Sequence, residues 1–219
     1  MKRIVLVVTV GIVMATMLAL TGPSFAASGD TDGTKKLSRT CDRYLKETND
    51  VTLAALCEEL RAETAKYKDV DKAVEHDYVA PTRPDGSLIC VAPLLTEGGG
   101  MGYHYVNRDD VLNEDPPEVG IGGHSIEPEA VLYDPEANGE KKLVAVEWIV
   151  RDADQKLGTD NDPRPVLPGP PETQFQGPMP GHELWMAIHY DLHAWVWKYN
   201  SRGMFAQYNP AVDCNPSTD

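Results

Sequence analysis

The sequence predicts an α+β fold, in which N-terminal helices are followed by a mainly antiparallel β-sheet with a long proline-rich loop. Apolar residues recur at helical spacing up to about residue 75, and short runs rich in β-branched and aromatic residues follow from residue 88. Helices first and strands afterwards are typical of an α+β domain with an antiparallel sheet. Residues 152–181 contain seven prolines, and a loop of that length is usually a lid, a binding loop or a disordered segment.

Three helical segments are predicted before the sheet. The first begins near Ser38, and the second is capped by Asn49-Asp50 and runs to about Tyr67. A third, short helix starts at Asp69 or Asp71. The apolar positions of the second helix share one face and predict a packing surface rather than a binding surface: Leu53, Leu56, Cys57 and Leu60.

Five β-type runs follow, separated by Pro, Gly, Asn and Asp: residues 88–92, 102–107, 130–133, 143–150 and 188–198. Asn138-Gly139, between the third and fourth runs, predicts a hairpin turn. Because successive side chains of a strand point to opposite faces, each run also predicts which residues lie together on one side of the sheet.

The N-terminus has the order of a secretory signal peptide. Two basic residues precede an apolar run, and small residues follow at the cleavage positions, which predicts a signal peptide over residues 1–26. An uncleaved membrane anchor is the alternative. Residues 27–36 are then predicted as a disordered leader, 37–214 as a single α+β domain and 215–219 as a tail. A protein cleaved in this way would be periplasmic or secreted, with no stable membrane insertion after cleavage.

The charge balance excludes some partners. The chain has 34 acidic and 20 basic residues and a formal net charge of −14. An acidic surface repels nucleic acid and anionic membranes, because both are bound through neutralisation of phosphate groups. We therefore expect no nucleic-acid partner, and a small-molecule ligand remains the partner to consider.

The chain has four cysteines, and an even number in an exported protein predicts two disulfides. Cys41–Cys57 together with Cys90–Cys214 is the favoured pairing. The first bond would join an N-terminal helix to its neighbour, and the second would hold the end of the chain on the start of the β region. A zinc–cysteine site is the alternative, although no C-x-x-C pair is present to form it.

The fourth β-type run contains a carboxylate whose apolar neighbours predict that it is buried. Glu147 shares a predicted face with Ala145 and Ile149, while Val144, Val146, Trp148 and Val150 form the other face. A carboxylate in an apolar run is costly unless it is paired, hydrogen-bonded or bound to a metal. A salt bridge to Arg83, Arg151 or Lys198 is the alternative to a metal-binding role.

Histidines on two other runs complete a candidate metal site. His104 lies on the second run, and His193 lies on the last one, where alternation predicts a common face for His189, Asp191, His193, Trp195 and Trp197. Two imidazoles and one carboxylate, His104, Glu147 and His193, would suit zinc, iron(II) or copper(II), with positions left open for water or substrate. His189 or Asp191 would add to this set. The alternative is that each residue is a hydrogen-bonded polar group of the core or its rim.

The last run also permits a helical interpretation. His182, Met186, His189 and His193 recur at helical spacing, and His182-Glu183 begins like the zincin motif. Met186 stands where that motif requires its second histidine, so the zincin interpretation is rejected. The aromatic and β-branched residues of this run favour a strand.

Three segments together resemble a family of uncharacterised secreted bacterial proteins: HYVN at 104–107, VEW at 146–148 and LHAWVW at 192–197. The resemblance covers residues 53–214 and implies no established activity. It implies that His104, Glu147 and His193, which stand in these segments, are the first candidates for functional positions, and that Cys90 and Cys214 form the core disulfide. The chain departs from the family pattern by Cys41 and Cys57, by an acidic insert at 114–123, and by His182 and His189.

Two functional hypotheses follow. The first is an exported metal-binding protein, or a metalloenzyme, with residues 152–181 as its lid. The second is a metal-free, disulfide-stabilised domain whose aromatic face accepts a small apolar ligand or a partner.

Overall fold

The computed structural model describes residues 37–93, 98–112, 127–158 and 175–214. The predicted signal peptide, leader, tail and acidic insert lie outside these ranges, as does the middle of the proline-rich segment. Across the described ranges, no helix is both long enough and apolar enough to cross a membrane.

The N-terminal layer consists of α1 (Arg39–Thr48), α2 (Val51–Glu63), a 3-10 helix (Ala65–Lys68) and α3 (Val70–Glu75). Side chains at the helix starts accept hydrogen bonds from backbone N–H groups that would otherwise lack a partner: Ser38, Asp50 and Asp69. The predicted second helix is too long, because the α-helix ends at Glu63 and Tyr67 lies in the 3-10 helix.

Within the described ranges the sheet has seven strands: β1 (Tyr78–Val79), β2 (Cys90–Val91), β3 (Gly102–Asn107), β4 (Ala130–Pro135), β5 (Lys141–Arg151), β6 (Gln176–Met179) and β7 (His189–Ala194). A short helix, α4 (Arg108–Leu112), follows β3. The strand order is β1-β3-β4-β5-β7-β6, with β2 paired to β3, and every pairing is antiparallel. The predicted α+β class and antiparallel sheet are therefore confirmed.

The predicted proline-rich loop contains a strand. Residues 152–181 were expected to be a loop throughout, but β6 pairs with β7, Gln176 opposite Asp191 and Met179 opposite His189. The register shifts between these two pairs, and β6 occupies the end of the sheet order. An edge strand tolerates proline because only one of its sides must supply ladder hydrogen bonds.

A bulge in β5 changes one predicted face. Leu132 pairs with Ala145 and Tyr133 with Leu143, so Val144 is the extra residue. Val144 consequently packs with Ala145 and not, as alternation predicted, with Val146 and Trp148.

The last strand also ends earlier than predicted. It stops at Ala194, where the N–H of Val196 donates to the Ala194 carbonyl in a tight turn. The turn breaks the alternation, so Trp197 packs against the N-terminal helices and not beside His193. Its indole Nε1 donates to Thr64 Oγ1.

The sheet separates two apolar clusters. The helical face packs against α1, α2 and α3 and carries Tyr133, Trp148 and Leu192. The site face carries Val106, Ala130, Ile149 and Trp195. Both predicted disulfides are present. Cys41–Cys57 joins α1 to α2, and Cys90–Cys214 joins β2 to the C-terminal segment.

Candidate metal centre

Strand register brings the three predicted ligands to one point of the site face. Glu147 on β5 lies directly opposite His193 on β7. On its other side Glu147 pairs with Ala130 of β4, beyond which lies β3 with His104. The small side chain of Ala130 leaves room between β3 and β5, so His104 can reach across β4 toward Glu147.

The distances are those of groups that surround a common ion. His104 Nε2 lies 3.5 Å from Glu147 Oε2, and His193 Nε2 lies 3.5 Å from Glu147 Oε1. One ligand atom from each of the three residues lies within 4.8 Å of the others. Two ligands at about 2.1 Å from a tetrahedral zinc are themselves roughly 3.4 Å apart. The two 3.5 Å contacts match this spacing, but they involve different oxygens of Glu147, so the side chains must move closer together to place all three ligand atoms around one ion.

All three residues are buried, and they lack ordinary hydrogen-bond partners. The exposed fraction is 8% for His104, 2% for Glu147 and 1% for His193. Among the residues that the structure describes, neither ring nitrogen of His193 has a hydrogen-bond partner, nor does Oε2 of Glu147. Buried polar groups without partners are costly and rare in folded proteins, so this arrangement indicates a ligand.

Burial also sets the protonation of the site. It lowers the pKa of His104 to about 4, with a smaller contribution from nearby His182, and holds the pKa of His193 well below its ordinary value. Both imidazoles are therefore neutral at neutral pH, the form that binds a metal. Burial raises the pKa of Glu147 well above its ordinary value, and the neighbouring Asp191 carboxyl raises it further.

Asp191 is a second buried carboxyl beside Glu147. It is fully buried, and its only hydrogen-bond partner among the described residues is the Glu147 carboxyl, which can share a proton with it. Burial raises its pKa to about 7. It lies on the same face of β7 as His193, as alternation predicted, but it is not within the 4.8 Å set formed by the three ligands.

The salt bridges considered for Glu147 are not formed, because its only ion-pair contacts among the described residues are the two imidazoles. Lys198 pairs with Asp134. Arg83 donates to the Leu88 carbonyl.

A cavity adjoins the three-residue cluster. Its volume of about 90 Å³ has room for about three waters, at the roughly 30 Å³ that a water occupies in the liquid. His104 and Glu147 line it, together with His182 and His189. The remaining walls are largely aliphatic: Pro81, Ile89, Val91, Val106, Ile149 and Met186. The site is thus buried but borders a small internal space.

The last strand places its other predicted residues in two ways. His189 is buried on the site face, and its Nδ1 lies 3.0 Å from the Ala187 carbonyl. Trp195 stacks against His193, with 6.3 Å between ring centroids and 12° between planes. Trp197 lies on the helical face, as described above, so the prediction for that residue was wrong.

Sequence reasoning did not single out Glu129. This residue is buried, its Oε2 accepts a hydrogen bond from the Ile149 N–H, and burial raises its pKa to about 7. Glu129 immediately precedes β4, and nothing in the local pattern distinguishes it from an exposed acid. Its burial follows from the contact with β5, which is a tertiary feature.

Comparison of the chain with protein-family models, with curated proteins and with solved structures finds no match. The site is therefore interpreted from its own geometry.

Proposed function

We propose that this protein is exported and binds a divalent transition metal, zinc, copper or iron, through His104, Glu147 and His193. The observation that carries the proposal is the convergence of three buried ligand atoms within 4.8 Å. Two imidazole nitrogens and one carboxylate oxygen form a donor set that these metals prefer.

Charge balance supports a divalent ion. Glu147 and Asp191 are both buried, and no described Lys or Arg forms an ion pair with either of them. When both carboxyls are ionised, their two negative charges match the two positive charges of the metal. A bound cation would thereby offset the cost of ionising two carboxyls in the interior.

A role in catalysis is part of the proposal. Three protein ligands leave a coordination position free on zinc, as in catalytic zinc sites. The adjoining cavity offers space for a water or a small substrate at that position. A metal there would polarise a substrate or activate the water.

Export rests on two features. The structure contains two disulfides, which persist mainly in oxidising compartments. The N-terminal sequence has the order of a cleaved signal peptide. Membership in the family of secreted bacterial proteins that the sequence resembles is part of the same proposal.

A metal-free ligand-binding domain is the second candidate. The aliphatic walls of the cavity favour it, because binding pockets for small molecules are mostly apolar. The two candidates differ in what Glu147 does. A metal site needs its carboxylate ionised, whereas an apolar ligand would favour the protonated form.

Elemental analysis of purified protein tests the proposal. After refolding with zinc, copper or iron(II) and removal of excess metal, we expect one metal ion per chain in the wild type and in His76→Ala. His76 is exposed and packs against Tyr67, so it serves as the matched histidine control. We expect His104→Ala and His193→Ala to retain none. Equal metal content in all four proteins would refute the assigned site.

Metal binding should also release protons at pH 7. The pKa of Glu147 is raised by burial, so a cation must displace its proton, while the two imidazoles are already neutral. Since the pKa of Asp191 is about 7, that carboxyl is partly protonated as well. We expect titration calorimetry in buffers of different ionisation enthalpy to report the release of roughly one to two protons per metal. Affinity should increase as the pH rises toward the pKa of Glu147. A binding affinity independent of pH between 5 and 8 would contradict this assignment.

A further inference from the structure

Two further histidines lie at the cavity beside the proposed metal centre. The rings of His182 and His189 are perpendicular, with centroids 5.2 Å apart. Both line the cavity that His104 and Glu147 also line. His182 is exposed, whereas His189 is buried. The pair therefore spans the distance from the surface to the interior.

His189 has one ring nitrogen available to bind a cation. Its Nδ1 is positioned to donate to the Ala187 carbonyl at 3.0 Å, which leaves Nε2 with its lone pair. Metal-binding histidines are commonly oriented by such a bond from the other ring nitrogen. Burial lowers the pKa of His189 to about 4, so the ring is neutral at neutral pH.

The loop that carries His182 is closely fitted. The N–H of Met186 donates to the Glu183 carbonyl, which closes a turn directly after His182. A Cβ at Gly181 would lie 2.0 Å from the Met186 carbonyl oxygen, so glycine is required where the chain meets this turn. The turn thus holds His182 at the cavity.

His182 is also electrostatically close to the inner histidines. A positive charge on His182 would lower the pKa of His104, His189 and His193. The four imidazoles thus form a graded series, from exposed His182 to buried His193. An ion that enters the cavity meets walls formed by His182, His189 and the inner ligand His104.

We propose that His182 and His189 form an outer cation-binding pair, which captures the divalent metal at the surface and passes it to the inner site. This inference rests on the proposed metal-binding function. Two imidazoles would bind more weakly than two imidazoles with a carboxylate, so the ion would transfer inward. The outer pair would set the rate of loading, and the inner three ligands would set the final affinity.

Loading kinetics with Zn²⁺ test the proposal. Metal-free protein would be mixed with Zn²⁺ and a chromogenic zinc indicator, and both the loading rate and the equilibrium affinity would be measured. We expect His182→Ala to slow loading about tenfold, the lower end of the range by which local capture raises association rates. Its equilibrium affinity should change less than about threefold. His76→Ala should match the wild type in both.

The inner variant should show the opposite pattern. We expect His104→Ala to lose at least about 100-fold in affinity, beyond the range typical of losing a group that only orients a ligand. A wild-type loading rate in His182→Ala would overturn the outer pair. An affinity loss in His182→Ala as large as that in His104→Ala would also overturn it, by making His182 an inner ligand.

A second measurement examines the outer pair alone. In the double variant His104→Ala/His193→Ala, Cu²⁺ should still bind weakly, with nitrogen hyperfine coupling in its electron paramagnetic resonance spectrum. Adding His182→Ala should remove that signal, and its persistence would overturn the proposal. If the wild type binds no metal at the inner site while the double variant binds Cu²⁺, the proposed function fails and the outer pair is a separate site.

Discussion

The two faces of the sheet bury polar groups in different ways. On the helical face, three buried tyrosine hydroxyls donate to backbone carbonyls, and among the described residues the isolated indole Nε1 of Trp148 is a buried donor without a partner. Tyr133 Oη donates to the Tyr67 carbonyl at 2.5 Å, Tyr44 Oη donates to the Trp195 carbonyl at 3.0 Å, and Tyr78 Oη donates to the Pro128 carbonyl at 2.6 Å. On the site face, Glu147, Asp191 and His193 are buried without such partners among the described residues. Most of the described polar groups without partners are therefore clustered on the site face, where they lie close enough together to share one ligand.

This difference shows how a candidate binding site can be recognised from the geometry of a single structure. Buried polar residues alone are not informative, since the helical face has several. Polar residues that are buried, close together and still lacking partners are informative, because folding alone gives no compensation for their lost hydration. Substitutions on one face at a time test whether the two faces differ in this way.

The largest effect is expected from Leu60→Ala on the helical face. Leu60 is fully buried in α2, and truncating such a leucine destabilises a protein by about 2–5 kcal/mol. Urea unfolding of the metal-free protein would measure the change. Metal content of the folded variant should equal that of the wild type, and a loss of metal would show that the two faces are not independent.

A smaller effect is expected from Tyr133→Phe on the same face. The substitution removes the donor to the Tyr67 carbonyl and leaves a buried acceptor without its partner, at a cost of about 1–3 kcal/mol. Thermal or urea unfolding would measure it. An unchanged free energy of unfolding would mean that the buried hydroxyls of the helical face contribute no more than the unpaired groups opposite.

The smallest effect is expected from Glu147→Gln in the metal-free protein. Its free energy of unfolding should lie within about 1 kcal/mol of the wild-type value or exceed it, because the amide carries no charge into the interior. Because burial raises the pKa of Glu147 above 4.5, the folded protein holds that proton more tightly than the unfolded chain. The contribution of Glu147 to the free energy of unfolding of the wild type is therefore fully present below pH 4.5, and it is lost as the pH rises through the raised pKa.

The variant lacks this dependence, so its stability relative to the wild type should increase with pH. Urea unfolding at pH 5 and pH 8, with chelator present, would measure it. A destabilisation as large as that of Tyr133→Phe would show that Glu147 supports the fold and would weaken its assignment as a ligand.

Much of the fold followed from local patterns. The helical stripe, the strand runs and the turn residues predicted the α+β class. The bounds of β3 match the predicted run, and Gly139 adopts a positive φ of 82° in the turn between β4 and β5. These features depend on neighbours within a few residues, so a sequence can reveal them. Alternation also grouped Glu147 with Ala145 and Ile149, and Asp191 with His193, as the structure has them.

Other features could not be predicted from residues that are close together in the sequence. The bulge at Val144, the turn after Ala194 and the pairing of β6 each depend on a partner strand or segment that is distant in the sequence. A one-residue irregularity reverses every later side chain, which explains the error for Trp197. His182 lies beside His189 because its loop returns to the sheet, which strand alternation does not predict.

The sequence by itself determined which residues alternate, where helices begin and which side chains have the chemistry of metal ligands, because these depend on residue type and short-range periodicity. Long-range contacts alone established that three strands bring His104, Glu147 and His193 together, that the Asp191 carboxyl lies beside Glu147, and that His182 and His189 line the cavity next to His104 and Glu147. The reason is that strand order and register depend on pairing between segments that are distant in the sequence. This pairing forms together with the packing of both faces of the sheet.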